Sequence, residues 1–164
     1  MIEDYDRARD FAVRYLGHAP RTRRQLRDKL TDKEFSTEAI DAVIQFLTQK
    51  GYLNDIFFAK NYISNKTRIN NYGRRRIIVG LLQKGVSKED IQAAYNQTDE
   101  DDNAEDETAA AARALAKRTA RKDMDEIRND PKEKQRLMAF LVRRGFSYDI
   151  VKKVLNDHLE EETQ

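Results

Sequence analysis

Apolar positions along this chain recur in stripes three and four residues apart, the spacing that places side chains on one face of a helix. Leu26/Leu30, Ile77/Leu81 and Leu137/Leu141 are each four apart, and longer stripes run through Ile40/Val43/Ile44/Leu47 and Val151/Val154/Leu155. The pattern predicts nine helices, over 4–16, 22–31, 36–50, 55–69, 73–84, 87–96, 105–120, 131–143 and 147–159. The first helix of each group is expected to turn Phe11/Tyr15, Phe58/Tyr62 and Ala112/Leu115 inward, and the sixth helix Ile91/Tyr95.

The nine segments fall into three copies of one pattern. FAVRYL (11–16) matches FAKNYI (58–63), and LTDKEFSTEAI (30–40) matches both LLQKGVSKEDI (81–91) and LVRRGFSYDIV (141–151). Ser36, Ser87 and Ser147 stand where a hydroxyl can cap the third helix of each copy, and Ser87 with Asp90 approximates a capping box. Gly85 and Gly145 stand just past the second helix, where a left-handed residue is wanted. Copy one has Glu34 there, so its second helix is expected to end differently. In the join GYLND (51–55), Asn54 or Asp55 can cap the next helix. The expected fold is therefore all-α: three tandem three-helix repeats forming an elongated, curved solenoid-like body. The repeats span 1–50, 51–97 and 98–164, the last opening with an acidic linker.

Composition agrees with helices. Of 164 residues, 37% are charged and 39% hydrophobic, with six Gly, two Pro and no Trp. The absence of cysteine excludes disulfides and thiolate chemistry. No apolar run approaches the roughly 20 residues of a membrane span, and the charged start MIEDYDRARDFA is unlike a signal peptide. A cytoplasmic protein without membrane contact is expected. Residues 1–96 hold 18 Lys+Arg against 12 Asp+Glu, a balance of +6, whereas 97–164 hold 13 against 17, a balance of −4. The acidic stretch TDEDDNAEDE (98–107) reads as a solvated linker or a first helical turn; a calcium loop would need a glycine at its sixth position, which is missing.

The arginines are placed against expectation. Arg74, Arg75 and Arg76 open a helix, where the backbone dipole disfavours cations, and Arg23 and Arg24 occupy the matching positions of copy one. Copy three opens conventionally, with Asp130 as cap, Pro131 first and Glu133 in the first turn. The scaffold does not require arginine there. One reading is a solvated polar face. The other is a surface for a polyanion or an acidic protein, with the helix-start amides aimed at the same anion. Candidates are Arg21, Arg23, Arg24, Arg27, Lys29, Lys66, Arg68, Arg74, Arg75, Arg76 and Lys84, with Tyr72 stacking or bracing the turn. The chain has no GxxxxGK, GxGxxG or HExxH motif, and His18 and His158 are isolated, so neither an enzyme nor a cofactor or metal site is expected.

TRRQLRDKL (22–30), KGYLNDIFFAKNYI (50–63), NYGRRRIIVGLLQKGVSKEDI (71–91) and FLVRRGFSYDIV (140–151) together resemble the RecX family of bacterial recombination regulators. The chain departs from that pattern at Arg74, where proline often follows the glycine, and at Glu34, where glycine is usual. The resemblance implies tandem three-helix repeats that bind RecA–single-stranded-DNA filaments along the groove. It implies restraint of filament growth, ATP hydrolysis, strand exchange and the co-protease step of the SOS response. The partners would be RecA and single-stranded DNA, contacted directly or through the filament by a monomer. The competing reading is a helix-turn-helix transcription regulator. It is disfavoured by the acids opening SKEDIQAAYNQ (87–97), where base-reading residues would stand.

Overall fold

The computed structural model describes the backbone of residues 2–97 and 100–160 and the side chains of 3–97, 106–123 and 125–160. Among the described residues every regular element is a helix: α1 (Ile2–His18), α2 (Arg23–Asp32), α3 (Thr37–Gln49), α4 (Asp55–Arg68), α5 (Arg74–Gln83), α6 (Lys88–Asn96), α7 (Glu100–Thr119), α8 (Met124–Asn129), α9 (Pro131–Arg143) and α10 (Tyr148–Glu160). Nine match the expected segments. The tenth, α8, is one and a half turns long, too short to show a period, and is capped by Asp123 accepting from Asp125 N–H at 2.9 Å. The acidic stretch belongs largely to α7; side chains 98–105 lie outside the described residues.

The chain forms two compact units, Met1–Asn61 with Leu81–Ala94, and Tyr62–Gly80 with Tyr95–Gln164, so the middle triplet contributes to both. In the first unit, α1, α2 and α3 enclose Leu26, Leu30, Ile40, Val43 and Leu47. In the second, Leu115, Ile127, Leu137, Leu141, Phe146 and Val151 form the core.

The first helix of each copy meets its neighbours through small residues. Ala8, Ala12, Ala59, Ala110 and Ala111 are fully buried, whereas Phe11, Tyr15, Phe58 and Tyr62 are half-buried. Ala112, expected inside, is exposed; the inward face is Ala110, Ala111, Ala114 and Leu115. An alanine at the crossing lets two backbones approach closely, which a large side chain there would prevent.

Cap positions follow the repeat. Ser36 accepts from Ala39 N–H at 3.4 Å, Ser87 from Asp90 N–H at 3.1 Å and Ser147 from Ile150 N–H at 3.4 Å. Asp90 does not complete a capping box: its carboxylate is engaged by Arg23 Nη2 at 3.2 Å. Glu34 also departs from expectation. It adopts the same left-handed conformation, φ 61°, as Gly85 at 82° and Gly145 at 94°. Copy one thus ends its second helix as the others do, with a residue for which that conformation costs roughly 1–2 kcal/mol. Part of this is offset by the extra chain entropy glycine would lose. Glu34→Gly is expected to raise stability by about 0.5–1 kcal/mol in thermal or urea unfolding. A lower melting temperature would mean the glutamate side chain holds the turn.

Candidate partner and nucleic-acid interface

The arginine-led helix starts are closed from within the protein. At α2, Thr22 and Gln25 form a capping box: Gln25 N–H donates to Thr22 Oγ1 and Thr22 N–H to Gln25 Oε1, both at 3.1 Å. Asp55, the first residue of α4, accepts from Arg23 N–H at 2.9 Å. It is free to do so because Asn54 caps α4, accepting from Phe57 N–H at 2.9 Å. At α5 the pattern returns: Glu107, from α7, accepts from Arg74 N–H at 2.9 Å. In each case the first helix of the following copy sends a carboxylate to the first amide of the arginine-bearing helix. That negative charge answers the dipole locally.

A second contact repeats beside the first. Thr22 Oγ1 donates to the Lys84 carbonyl at 2.6 Å. At the equivalent place Gly73 N–H donates to the Arg144 carbonyl at 2.8 Å and Arg75 N–H to the Gly145 carbonyl at 3.2 Å. A Cβ on Gly85 would lie 2.2 Å from the Arg24 side chain, and one on Gly145 2.6 Å from that of Arg76. Glycine is therefore demanded at these two turns by contact as well as by φ. In the third copy α9 caps itself: Asp130 accepts from Lys132 N–H at 2.8 Å, with Pro131 first.

These bonds overturn the expectation that the helix-start amides face a visiting anion, since the leading ones are taken by carboxylates and carbonyls of this chain. The candidate side chains divide into two sets. Arg23 meets Asp55 at 3.6 Å and Asp90 at 3.2 Å, Arg24 meets Asp28 at 3.9 Å, and Arg27 meets Asp41 at 2.6 Å. Arg21 lies over the Tyr15 ring at 5.0 Å, with its Nε buried and unbonded among the described residues. Lys29 is half-buried in the last turn of α2. A cleft of about 550 Å³ along this face is lined by three arginines and three aspartates, so its charge is balanced.

In the second unit aromatic rings and carbonyls partner most of the cations, with one carboxylate among them. Tyr72 is half-buried under Arg76 at 4.0 Å, Arg144 at 4.9 Å and Lys66 at 5.9 Å. Arg74 lies over Tyr95 at 4.0 Å, and Arg68 pairs with Asp106 at 2.9 Å. The Arg75 side chain is exposed and makes no hydrogen bond or ion pair among the described residues. Arg144, which is not among the candidates expected from the sequence, donates Nε to the Asn71 carbonyl at 3.0 Å and Nη2 to the Asn70 carbonyl. Its RRGFS string was visible in the sequence but reads as a turn signal. Burial pushes the Asp55 and Glu107 carboxyls above the usual carboxylate range, against the hydrogen bonds and arginine charges that favour ionisation.

No group of three or more His, Asp or Glu among the described residues is arranged to hold a metal, and no described helix is long and apolar enough to cross a membrane. The fold and its charged face define a tandem three-helix repeat protein whose copies latch onto one another through a shared acid and a shared turn. Family models for the first, second and third three-helix domains of RecX match residues 8–47, 54–94 and 105–155. The regulatory protein RecX of Thermobifida fusca is 32% identical over 160 residues, spanning 96% of this chain and 82% of that one. The Clostridioides difficile protein of the same name is 31% identical over 156 residues, 94% and 69% of the two chains. A crystal structure of RecX from Lactobacillus salivarius, 22% identical, superposes with a TM-score of 0.79 over 96% of this chain and 97% of its own. This chain belongs to the RecX family.

Proposed function

We propose that the protein is a negative regulator of the RecA recombinase. It binds the RecA–single-stranded-DNA filament along its groove and restrains filament growth, ATP hydrolysis, strand exchange and SOS co-protease activity. It acts in the cytoplasm as a monomer, without a cofactor and without chemistry of its own. The observation that carries this reading is the match of RecX domain models to all three triplets, in order. The cations gathered over Tyr72, Arg76 exposed and Lys66 and Arg144 half-buried, support it, because a filament presents phosphates and acidic protein surface. The transcription-factor reading gains nothing: Asp90, in the first turn of α6, is tied to Arg23 rather than turned toward a duplex.

Titrating the protein into RecA assembled on single-stranded DNA is expected to suppress DNA-dependent ATP hydrolysis below one molecule per RecA. Full ATPase activity at saturating protein would overturn the proposal.

A further inference from the structure

We propose that the cleft between the α4–α5 turn and helices α7 and α9 binds one nucleotide unit of single-stranded nucleic acid. The inference deepens the regulatory reading, and its test runs without RecA. The cleft holds about 380 Å³, within the range of small-ligand sites. Its lining includes Lys117, Arg118 and Arg144 and no carboxylate, the opposite of the balanced cleft in the first unit. Neither Lys117 nor Arg118 has an ion-pair partner among the described residues. Arg144 is held in place by the Asn70 and Asn71 carbonyls, which leaves its Nη1 without a hydrogen bond among the described residues. Three converging cations fit a phosphodiester.

The remaining walls fit a base. Arg118 and Arg144 both lie 5.5 Å from the Phe140 ring, and Arg144 is 4.9 Å from that of Tyr72. Aromatic rings and guanidinium planes are the surfaces on which unpaired bases stack. Ile69, in the lining, is 70% exposed and offers an apolar edge. An acidic peptide would use the cations but has no need of the planar walls. A duplex keeps its base faces stacked and could not use them either.

The test is anisotropy of a labelled dT oligomer with the purified full chain. Binding is expected to weaken with salt at a logarithmic slope of about −0.7, the contribution of the one phosphate met by the three cations. Lys117→Ala with Arg118→Ala should weaken it at least tenfold and flatten most of that slope. Lys152→Ala with Lys153→Ala, an equal charge change on the exposed face of α10, should alter it less than twofold. Phe140→Leu should weaken dT binding by about fivefold or more through lost stacking while leaving inorganic polyphosphate binding unchanged. If Phe140→Leu fails to fold, the α7 pair, on exposed positions, carries the test. The inference falls if dT is not bound or if both lysine-containing pairs weaken it equally. It falls equally if polyglutamate or polyphosphate binds as tightly as dT. RecA suppression surviving any of these results would leave the regulatory proposal standing alone.

Discussion

Gly73→Ala is expected to destabilise the second unit by about 3–5 kcal/mol, although it adds a single methyl group. A Cβ at this position would sit 2.3 Å from the Gly145 carbonyl carbon, 2.4 Å from its oxygen and 2.4 Å from Phe146 N. All three are backbone atoms, so no rotamer change makes room. Forced overpacking costs about 1–3 kcal/mol where side chains can yield, and more where they cannot. Relief requires the start of α5 to move off the α9–α10 turn. That forfeits the Gly73–Arg144 and Arg75–Gly145 hydrogen bonds, each worth about 1 kcal/mol. Thermal unfolding should register a fall in melting temperature on the order of 10 °C. The glycine is required by proximity, because its φ is not in the left-handed region. A loss below 1 kcal/mol would show that the turn is not seated as described.

The contrast between what was legible and what was not follows the range of each interaction. Helix positions and the three copies could be read directly, since stripes such as Leu26/Leu30 and caps such as Ser36 act within one or two turns. Ala112 faces outward and Ala111 inward, one position from the expected stripe, because a run of four alanines carries no stripe of its own. The α2 capping box is readable as Thr22-x-x-Gln25, although arginines dominate that stretch. The acids that answer those arginines were not readable. Asp55 lies 32 residues beyond Arg23 and Glu107 lies 33 beyond Arg74, and neither differs in local context from the other carboxylates. The same holds for the cleft, whose cations come from α7 and from the residue just past α9 while one of its rings comes from the α4–α5 turn. Only the fold brings them together.

Positive charge at a helix start thus becomes tolerable because the following copy delivers negative charge to the same amide. The arrangement makes the arginines available at little cost to folding, and it transfers the burden to one carboxylate per junction. Removing that carboxylate exposes the conflict the sequence poses.

Asp55→Ala should therefore cost about 2–3 kcal/mol at neutral pH, in urea unfolding of the full chain. Asp55 is 3% exposed, and its loss strands the Arg23 N–H at the head of α2. A hydrogen bond to a charged group contributes roughly 1.5–3 kcal/mol. The ion pair with the half-exposed Arg23 side chain adds little, since solvent screens it and Asp90 remains as a partner. Asp55→Asn keeps an oxygen acceptor for the same amide and removes the burden of burying a charge, so it should cost under about 1 kcal/mol at pH 7. The direction of the pH dependence is distinctive. Burial, followed by the nearby Asp90 charge, raises the folded-state pKa of Asp55, while its bond to Arg23 and the guanidinium oppose the shift. The folded state then binds the proton more tightly than the unfolded chain does. Stability from this group increases as pH falls through the raised value toward the ordinary carboxylate range, and is lost as pH rises again. The asparagine variant lacks that gain, so its deficit against the parent should widen between pH 7 and pH 4.5. Equal deficits for Ala and Asn at pH 7, with no widening in acid, would mean that the charge itself, and not the hydrogen bond it carries, holds the junction.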